Sequence, residues 1–215
     1  GLPMIIQDAL DVVQGTDEWK IAKLGHISAS NIDAVMAKGR AGESETRRKY
    51  KLKLIAERLS GEIQESYSNQ AMLHGVETEP LARTTYEIKT QNFVDLTGFW
   101  KHPTIQWLGV SPDGLVGDDG LVEIKCPNTS THISYIENGC PSEYYKQIQC
   151  QLWVTGRKWC DFISFDDRIK VAHRKIYIHR VERDEPLISE MEAEVVKFLN
   201  EVEDKIKELE NGITK

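Results

Sequence analysis

The sequence predicts an α/β fold in which a central mixed β-sheet is flanked by helices, within a single domain spanning residues 1–215. Three observations carry this. Helical periodicity dominates the chain up to residue 92. A β-branched and aromatic stretch, cut by Gly, Pro and Asp-Gly turns, fills residues 93–127. Helix and strand patterns then alternate to the end. With 215 residues, 40% hydrophobic and 28% charged, the chain has ordinary globular composition and enough length for one sizeable core.

Taken in order, residues 18–23 read as a short helix. Ser28 or Ser30 then N-caps a second helix over residues 31–37. The basic loop "AKGRAG" follows. "ESETRRKYKLKLIAERLSGE" is an amphipathic helix with Tyr50, Leu54, Ile55, Arg58 and Leu59 at helical spacing and Gly61 as its stop. "NQAMLHGVETEPLARTTYEIKT" is helical too. Pro80 suits the start of a helical segment there, with Glu79 before it marking a break or kink. Residues 93–127 supply three or more strands joined by hairpins. "PSEYYKQIQCQLWVTG" returns to helix, capped by Ser142 and closed by Gly156. "KWCDFISFD" and "VAHRKIYIHRVE" are strands. Residues 186–210 form a last helix with Ile188, Met191, Val195, Phe198, Val202, Ile206 and Leu209 on one stripe.

Composition excludes several classes. There is no repeat, no low-complexity tract and no apolar run long enough to span a membrane. The opening "GLPMIIQDAL", with no basic start and a short apolar run, does not read as a secretory signal, and Gly1, Leu2 and Pro3 read as an appended stretch ahead of Met4. Cys126, Cys140, Cys150 and Cys160 form no Cys-x-x-Cys pair. They read as reduced thiols, and their scatter argues against an iron–sulfur cluster. Net charge is −7, against the habit of a general nucleic-acid binder, yet the charge is polarised. Basic residues gather at 37–53, and acid at "ERDEP" and "NEVEDKIKELE".

One segment carries candidate chemistry: "SPDGLVGDDGLVEIKCP", residues 111–127. Side chains alternate along "LVEIK", so Glu123 and Lys125 share one face of a strand and Val122 and Ile124 the other. A hairpin through the Gly-rich turn returns Asp113 beside Glu123. Two carboxylates and an ammonium then converge. Hard divalent cations take carboxylate ligands while keeping waters, and such an ion stabilises charge on a phosphoryl oxygen. A neighbouring lysine can orient water or steady the transition state. By spacing alone the pattern is common; an exposed strand face beside an Asp-Gly turn has the same composition.

The ordered company of this segment is specific. Together with "YYKQIQCQLW" downstream, "GVETEPLAR" in the middle and "EWKIAKLGHISASNIDAVMAKGRAG" at the front, it resembles the lambda-type exonucleases of phage recombination, the YqaJ-like viral recombinases. These belong to the PD-(D/E)xK nuclease superfamily, so the resemblance implies a restriction-endonuclease-like core. It implies a Mg²⁺-dependent exonuclease, with two ions and Mn²⁺ as a substitute. Such an enzyme degrades linear double-stranded DNA processively from a 5′-phosphorylated end, releases 5′-mononucleotides and leaves a 3′ single strand. It further implies a homotrimeric ring working beside a single-strand annealing protein, in the host cytoplasm for a phage-encoded chain.

Carried over residue by residue, the resemblance makes Asp113, Glu123 and the carbonyl of Ile124 metal ligands and Lys125 the catalytic lysine. Glu79 completes the acidic site through metal-bound water, with Glu77 a rival. Gln147 contacts the attacking water or scissile phosphate, with Gln149 and Gln151 as rivals. Lys23, Ser28, Ser30 and Ser111 form a 5′-phosphate pocket, with lysine at 23 where the family has arginine, a change that loses the bidentate fork. Lys38 and Arg40 follow the duplex backbone or minor groove, and Met72 wedges between strands at the fork. Plain capping for the serines and core packing for Met72 are the alternatives.

Overall fold

The computed structural model describes residues 10–64 and 69–212. Its centre is a four-stranded mixed sheet in the order β3-β4-β5-β6, formed by Gly114–Val116, Gly120–Lys125, Trp159–Phe165 and Ile176–Glu182. The β3–β4 and β5–β6 pairs are antiparallel hairpins, and β4–β5 is parallel, with Lys125 opposite Ser164. A separate two-stranded ribbon, β1 (Trp100–Lys101) with β2 (Gly109–Val110), stands ahead of the sheet. The mixed sheet flanked by helices is thus as the periodicity predicts.

Strand β4 is buried on both faces, which is what a parallel pairing with helices on either side demands. On one face Leu121 packs with Phe162 and Val181 against Ile148 and Leu152 of α6 (Ser142–Thr155). On the other, Val122 and Ile124 pack with Ile163 and Phe165 against Ala82 and Tyr86 of α4 (Gln70–Thr90). Gly120 opens β4 because the ring of Trp159 lies 2.2 Å from where a Cβ would sit. Cys126 and Pro127 end the strand, since Pro127 has no N–H to give the ladder.

Helices α2 (Ile32–Met36), α3 (Glu45–Ser60) and α7 (Glu185–Glu210), with Trp153 and Val154 of α6, build a second core beside the sheet, and α1 (Asp17–Lys23) buries no residue in it. Local chemistry sets their ends. Ser44 Oγ accepts from Arg47 N at the start of α3, and Gly61 closes it in the left-handed region at φ +70°. Asp184 caps α7, whose stripe from Ile188 to Ile206 is buried, with Phe198 stacked on Tyr50. Leu209, assigned to the stripe, is exposed, because the helix has by then run past its neighbours.

Four local expectations need correction. Pro80 sits inside one continuous helix over 70–90 and neither starts nor breaks it. The Val76 carbonyl that loses its bond partner belongs to an exposed residue of α4, open to solvent. Ser142 is the first helical residue of α6, after an N-cap at Pro141. Neither serine caps α2 through its side chain: Ser28 precedes a 3-10 turn over Ala29–Asn31 that contains Ser30. Residues 129–138, unassigned above, form helix α5, capped by Asn128. Tertiary contacts hold this Thr- and Ser-rich segment helical: His132 is fully buried between the Ser164 hydroxyl (2.7 Å) and the Arg174 carbonyl (2.7 Å). All four cysteines are free thiols, as expected.

The two charged halves of the chain meet. Glu201 on α7 accepts from Arg47 (2.6 Å) and Lys51 (2.8 Å) on α3, and Glu43 pairs with both. Partial burial alone would raise the Glu201 carboxyl; the hydrogen bonds from Arg47 and Lys51 bring it down to about 2 from the ordinary 4.5. A depressed folded-state value means stability that is present above pH 4.5 and lost as pH falls toward 2. Replacing Glu201→Gln is expected to cost about 1–2 kcal/mol at pH 7, a Tm drop of roughly 3–6 °C. The deficit should shrink on acidification from pH 5 to pH 2.5 in thermal melts; a deficit constant across that range would sink the assignment.

Candidate active site

Glu123 is the structural centre of the site. It lies mid-β4, 3% exposed, on the face covered by α6. Gln151 Nε2 donates to its Oε1 (2.9 Å) and Gln147 Nε2 to its Oε2 (3.1 Å). Lys125 Nζ, two residues along the same face, reaches Oε2 at 3.1 Å and lies 4.2 Å from the centre of the Tyr144 ring. Residues 144, 147 and 151 are one helical stripe, so a single face of α6 supplies the aromatic and both amides. Gln149 points elsewhere. Its amide donates to the Glu182 carbonyl (2.8 Å) and accepts from Asp184 N (2.9 Å), tying α6 to the junction of β6 and α7. Geometry therefore sorts three glutamines that sequence leaves equivalent.

Asp113 comes back through the hairpin as the turn chemistry predicts. The register Gly114↔Val122 sets it opposite Glu123, and its Oδ2 accepts from Ile124 N at 2.8 Å. The N–H and C=O of a strand residue point the same way, so the Ile124 carbonyl also faces this side, beyond the end of β3. Glu79 faces the cluster from the middle of α4, with Arg83 at 3.7 Å.

The electrostatics are those of crowded acid. Burial, then Glu123 and Glu79, push the Asp113 carboxyl well above the carboxylate range. Burial raises Glu79 as well, with Arg83 opposing and Glu123 adding. Burial would lower the Lys125 ammonium, but Glu123 and Asp113 overcome it and hold the lysine charged. A hard dication is the natural complement to such a set. The donors are all oxygen: among the described residues Asp113 Oδ1 carries no hydrogen bond and Glu123 Oε1 carries one, and each oxygen has two lone pairs. Among the described residues no three His, Cys, Asp or Glu side chains form a ready-made metal cage. Two carboxylates and a backbone carbonyl thus fit an ion that keeps several waters, as Mg²⁺ does, and not a closed structural zinc site. A cavity of about 390 Å³, walled by Val13, Val76, Pro80 and Leu96, opens on Glu79 and Asp113.

The remaining sequence candidates fall into separate groups. Ser111 Oγ accepts from Trp19 Nε1 (2.9 Å), and Lys23 Nζ lies 3.9 Å from the Trp19 ring centre, so Trp19 links α1 to the segment before β3. The sequence reading missed Trp19; its spacing of four from Lys23 on one helix was the available signal. The hydroxyls of Ser28 and Ser30 are 3.2 Å apart, and Asn31 donates to Ser28 (2.9 Å). The Ser28 backbone N–H is already committed to Tyr50 (3.2 Å), so this turn offers an anion hydroxyls and not that amide. Backbone bonds from Ile27 to Trp107 and Gly109 pin the turn beside β2. Lys38 is ion-paired to Glu194 (3.0 Å). Arg40 is exposed within a tight loop closed by the Lys38–Glu43 bridge. Met72 is half-exposed on the first turn of α4, which removes core packing as its role. None of Lys38, Arg40 and Met72 touches the Glu123 cluster.

Comparison with known proteins bears on the fold and the family. The model of the YqaJ-like viral recombinase domain matches residues 18–158. An alkaline exonuclease from Laribacter hongkongensis, LHK-Exo, is 47% identical, with 92% of this chain and 98% of that chain covered and a TM-score of 0.86; it has also been solved in complex with dAMP. A phage-related exonuclease from Haemophilus somnus shares the fold at 15% identity and TM-score 0.68, over 86% of this chain and 96% of that one. An uncharacterized protein of Acanthamoeba polyphaga mimivirus is 28% identical over 112 residues, 45% of this chain and 20% of that protein. With two thirds of its length matched by the family model, the chain belongs to the YqaJ-like viral recombinase family.

Proposed function

We propose that this chain is a Mg²⁺-dependent exonuclease that digests linear double-stranded DNA from its 5′ ends, releasing 5′-mononucleotides and leaving 3′ single strands for annealing-based recombination. That it is a DNA-degrading hydrolase follows from its family and from its 47% identity to an alkaline exonuclease. The observation that carries the finer reading is the buried Glu123 carboxylate, held by Gln147, Gln151 and Lys125 directly opposite Asp113.

In this reading Asp113, Glu123 and the Ile124 carbonyl hold the divalent cation, and Glu79 acts on the same centre from α4. The cation, when bound, supplies a lowered pKa for water and charge stabilisation at the phosphoryl oxygens. The chain does the rest. Gln151 positions Glu123. Gln147, within reach of the same carboxylate, orients the water or the scissile phosphate. Lys125 presents a positive charge to the phosphate as negative charge builds. Lys23, stacked on Trp19, gathers the 5′ phosphate with Ser111, Ser28 and Ser30. Arg40 and Lys38 track the duplex backbone, Lys38 after leaving Glu194, and Met72 meets the fork. A homotrimeric ring, a single-strand annealing partner, Mn²⁺ as substitute metal and action in the bacterial cytoplasm belong to the same proposal. No helix is long and apolar enough to cross a membrane among the described residues.

Three experiments test this. With Mg²⁺ and linear duplex labelled at either end, the 5′ label should leave first, and Lys125→Ala should lower the rate by about 10²–10³. Earlier release of the 3′ label, or cutting of covalently closed circles, overturns the reading. The glutamines separate orientation from architecture. Gln151→Leu should weaken activation by Mg²⁺ about 10–100-fold. Gln149→Leu should lower Tm and leave kcat unchanged; equal loss of kcat in both would refute the sorting. Finally, Asp113→Asn removes a carboxylate that resists ionisation in place. It should abolish activity yet raise Tm by about 2–4 °C without added metal, on the order of 1 kcal/mol. Sign is fixed by the raised value: ionisation of Asp113 opposes folding at any pH above its unfolded range, so the gain should vanish near pH 3.

A further inference from the structure

The loop joining β5 to β6, residues 166–175, reads "DDRIKVAHRK". It brings Arg168, Lys170, His173, Arg174 and Lys175 together in a chain whose net charge is −7. The loop leaves the C-terminal end of β5. Because β4 and β5 are parallel with Lys125 opposite Ser164, that is also the end at which the Glu123 cluster sits. In open α/β sheets ligands collect at this end of the strands.

The loop is held in one shape. Asp166 N donates to the Lys175 carbonyl (2.9 Å), closing its base. Arg168 bridges the fully buried Asp166 (2.7 Å) and the Pro127 carbonyl (2.7 Å), two residues past Lys125. Lys175 Nζ donates to the Asp167 carbonyl (2.9 Å), and His132 holds the Arg174 carbonyl from beneath. These bonds use Arg168, Lys175 and the backbone. Lys170 and Arg174 are exposed, and neither side chain has a partner among the described residues. That contrasts with Arg47, Arg48 and Lys51 of the basic stretch at 37–53, which are held in ion pairs. Asp167 is the only carboxylate within the loop not engaged by Arg168.

We propose that this loop is a second contact for the DNA backbone, with Lys170 and Arg174 meeting phosphates on the duplex beyond the one at Lys125. The proposal rests on the nuclease reading above and adds a surface to it. Adjacent strands are about 4.8 Å apart, and phosphates recur about every 3.4 Å of axis along a strand of duplex. A backbone that runs over the end of β4 toward β5 brings its neighbouring phosphates to the end of β5, where the loop stands. Exposed, unpaired ammonium and guanidinium groups on a fixed loop suit a sequence-independent contact, since phosphates carry no base information. Two such charges lend grip without enclosing the duplex.

The test is the salt dependence of binding to a linear 5′-phosphorylated duplex, read by fluorescence anisotropy in EDTA so that no cleavage occurs. Removing one cation that neutralises a phosphate lowers the slope of log K against log salt by about 0.9. Lys170→Glu/Arg174→Glu should flatten the slope by roughly twice that amount and weaken binding at least ~10-fold at 0.1 M salt. Tm and the digestion rate at saturating duplex in Mg²⁺ should stay within about a degree and about twofold of wild type, respectively. The control Lys205→Glu/Lys207→Glu makes the same change in net charge on α7, which packs on α2, α3 and α6. An unchanged slope in the loop variant overturns the proposal, and so does an equal fall in the control, which would mean net charge alone. Failure of the wild-type chain to bind or digest linear duplex would instead overturn the nuclease reading itself.

Discussion

A buried carboxylate on a strand covered on both sides is the constraint around which the rest is arranged. Left alone, an ionised Glu123 would cost several kcal/mol of desolvation, so the fold surrounds it with donors. Helix α6 gives up three core-facing positions, Tyr144, Gln147 and Gln151, while Ile148 and Leu152 between them keep the apolar contact with Leu121 and Phe162. The opposite face of the sheet repeats the device in a structural key. Asp161 on β5, 2% exposed, is held by the Tyr86 hydroxyl (2.6 Å) and the Arg180 guanidinium (2.9 Å). Its partners satisfy it outright. The Glu123 cluster is left with surplus negative charge and open lone pairs, the difference on which the proposed metal site rests.

Surplus charge has a consequence for the architecture around it. Burial raises the carboxyls of both Asp113 and Glu79, Glu123 raises each further and Glu79 raises Asp113, and Lys125 alone does not balance them. Such a site stores unfavourable electrostatics in the folded state, and the structure must hold it from rigid elements. It does so with the β3–β4 hairpin, whose register cannot slip without moving Leu121 and Val122 to the wrong faces. Two long helices close over it, each pinned by its own cap: Asn69 for α4 and the left-handed Gly156 at the end of α6. Orientation of Glu123 by amides, which neither add nor remove charge, keeps the carboxylate ready without neutralising it.

Much of this was legible in the sequence. Strand alternation placed Glu123 and Lys125 together, and the Gly-rich turn returned Asp113. The long amphipathic helices and the mixed sheet follow from periodicity. What was not legible depends on tertiary contact. Helix α5 is written in Thr, Ser and Ile and exists because His132 finds Ser164 and Arg174. Pro80 reads as a break, but the backbone bond it removes falls on a solvent-facing turn of α4. Residues 147, 149 and 151 are interchangeable on paper, and only helical phase against β4 separates the two that hold Glu123 from the one that ties α6 to α7. The spacing of Trp19 from Lys23 is visible in the sequence, but its bond to Ser111, ninety-two residues on, is not.

Charge is distributed by the same logic. Along the chain, the basic residues at 37–53 look like a nucleic-acid surface and the acidic C-terminal region like its counterweight. In space they meet: Arg47 and Lys51 on α3 close on Glu201 of α7. Arg47 is almost wholly buried there and its guanidinium lies over the Phe198 ring, so this network belongs to the helical core and not to a binding face. Charge that the fold has already used cannot also attract a polyanion without being desolvated twice. The positive groups free to meet phosphate are those without an internal partner, and they are set by topology and not by local density of Lys and Arg. On the proposed reading, a protein of net charge −7 attracts DNA at a few fixed points around an acidic centre, and the remaining surface repels the duplex.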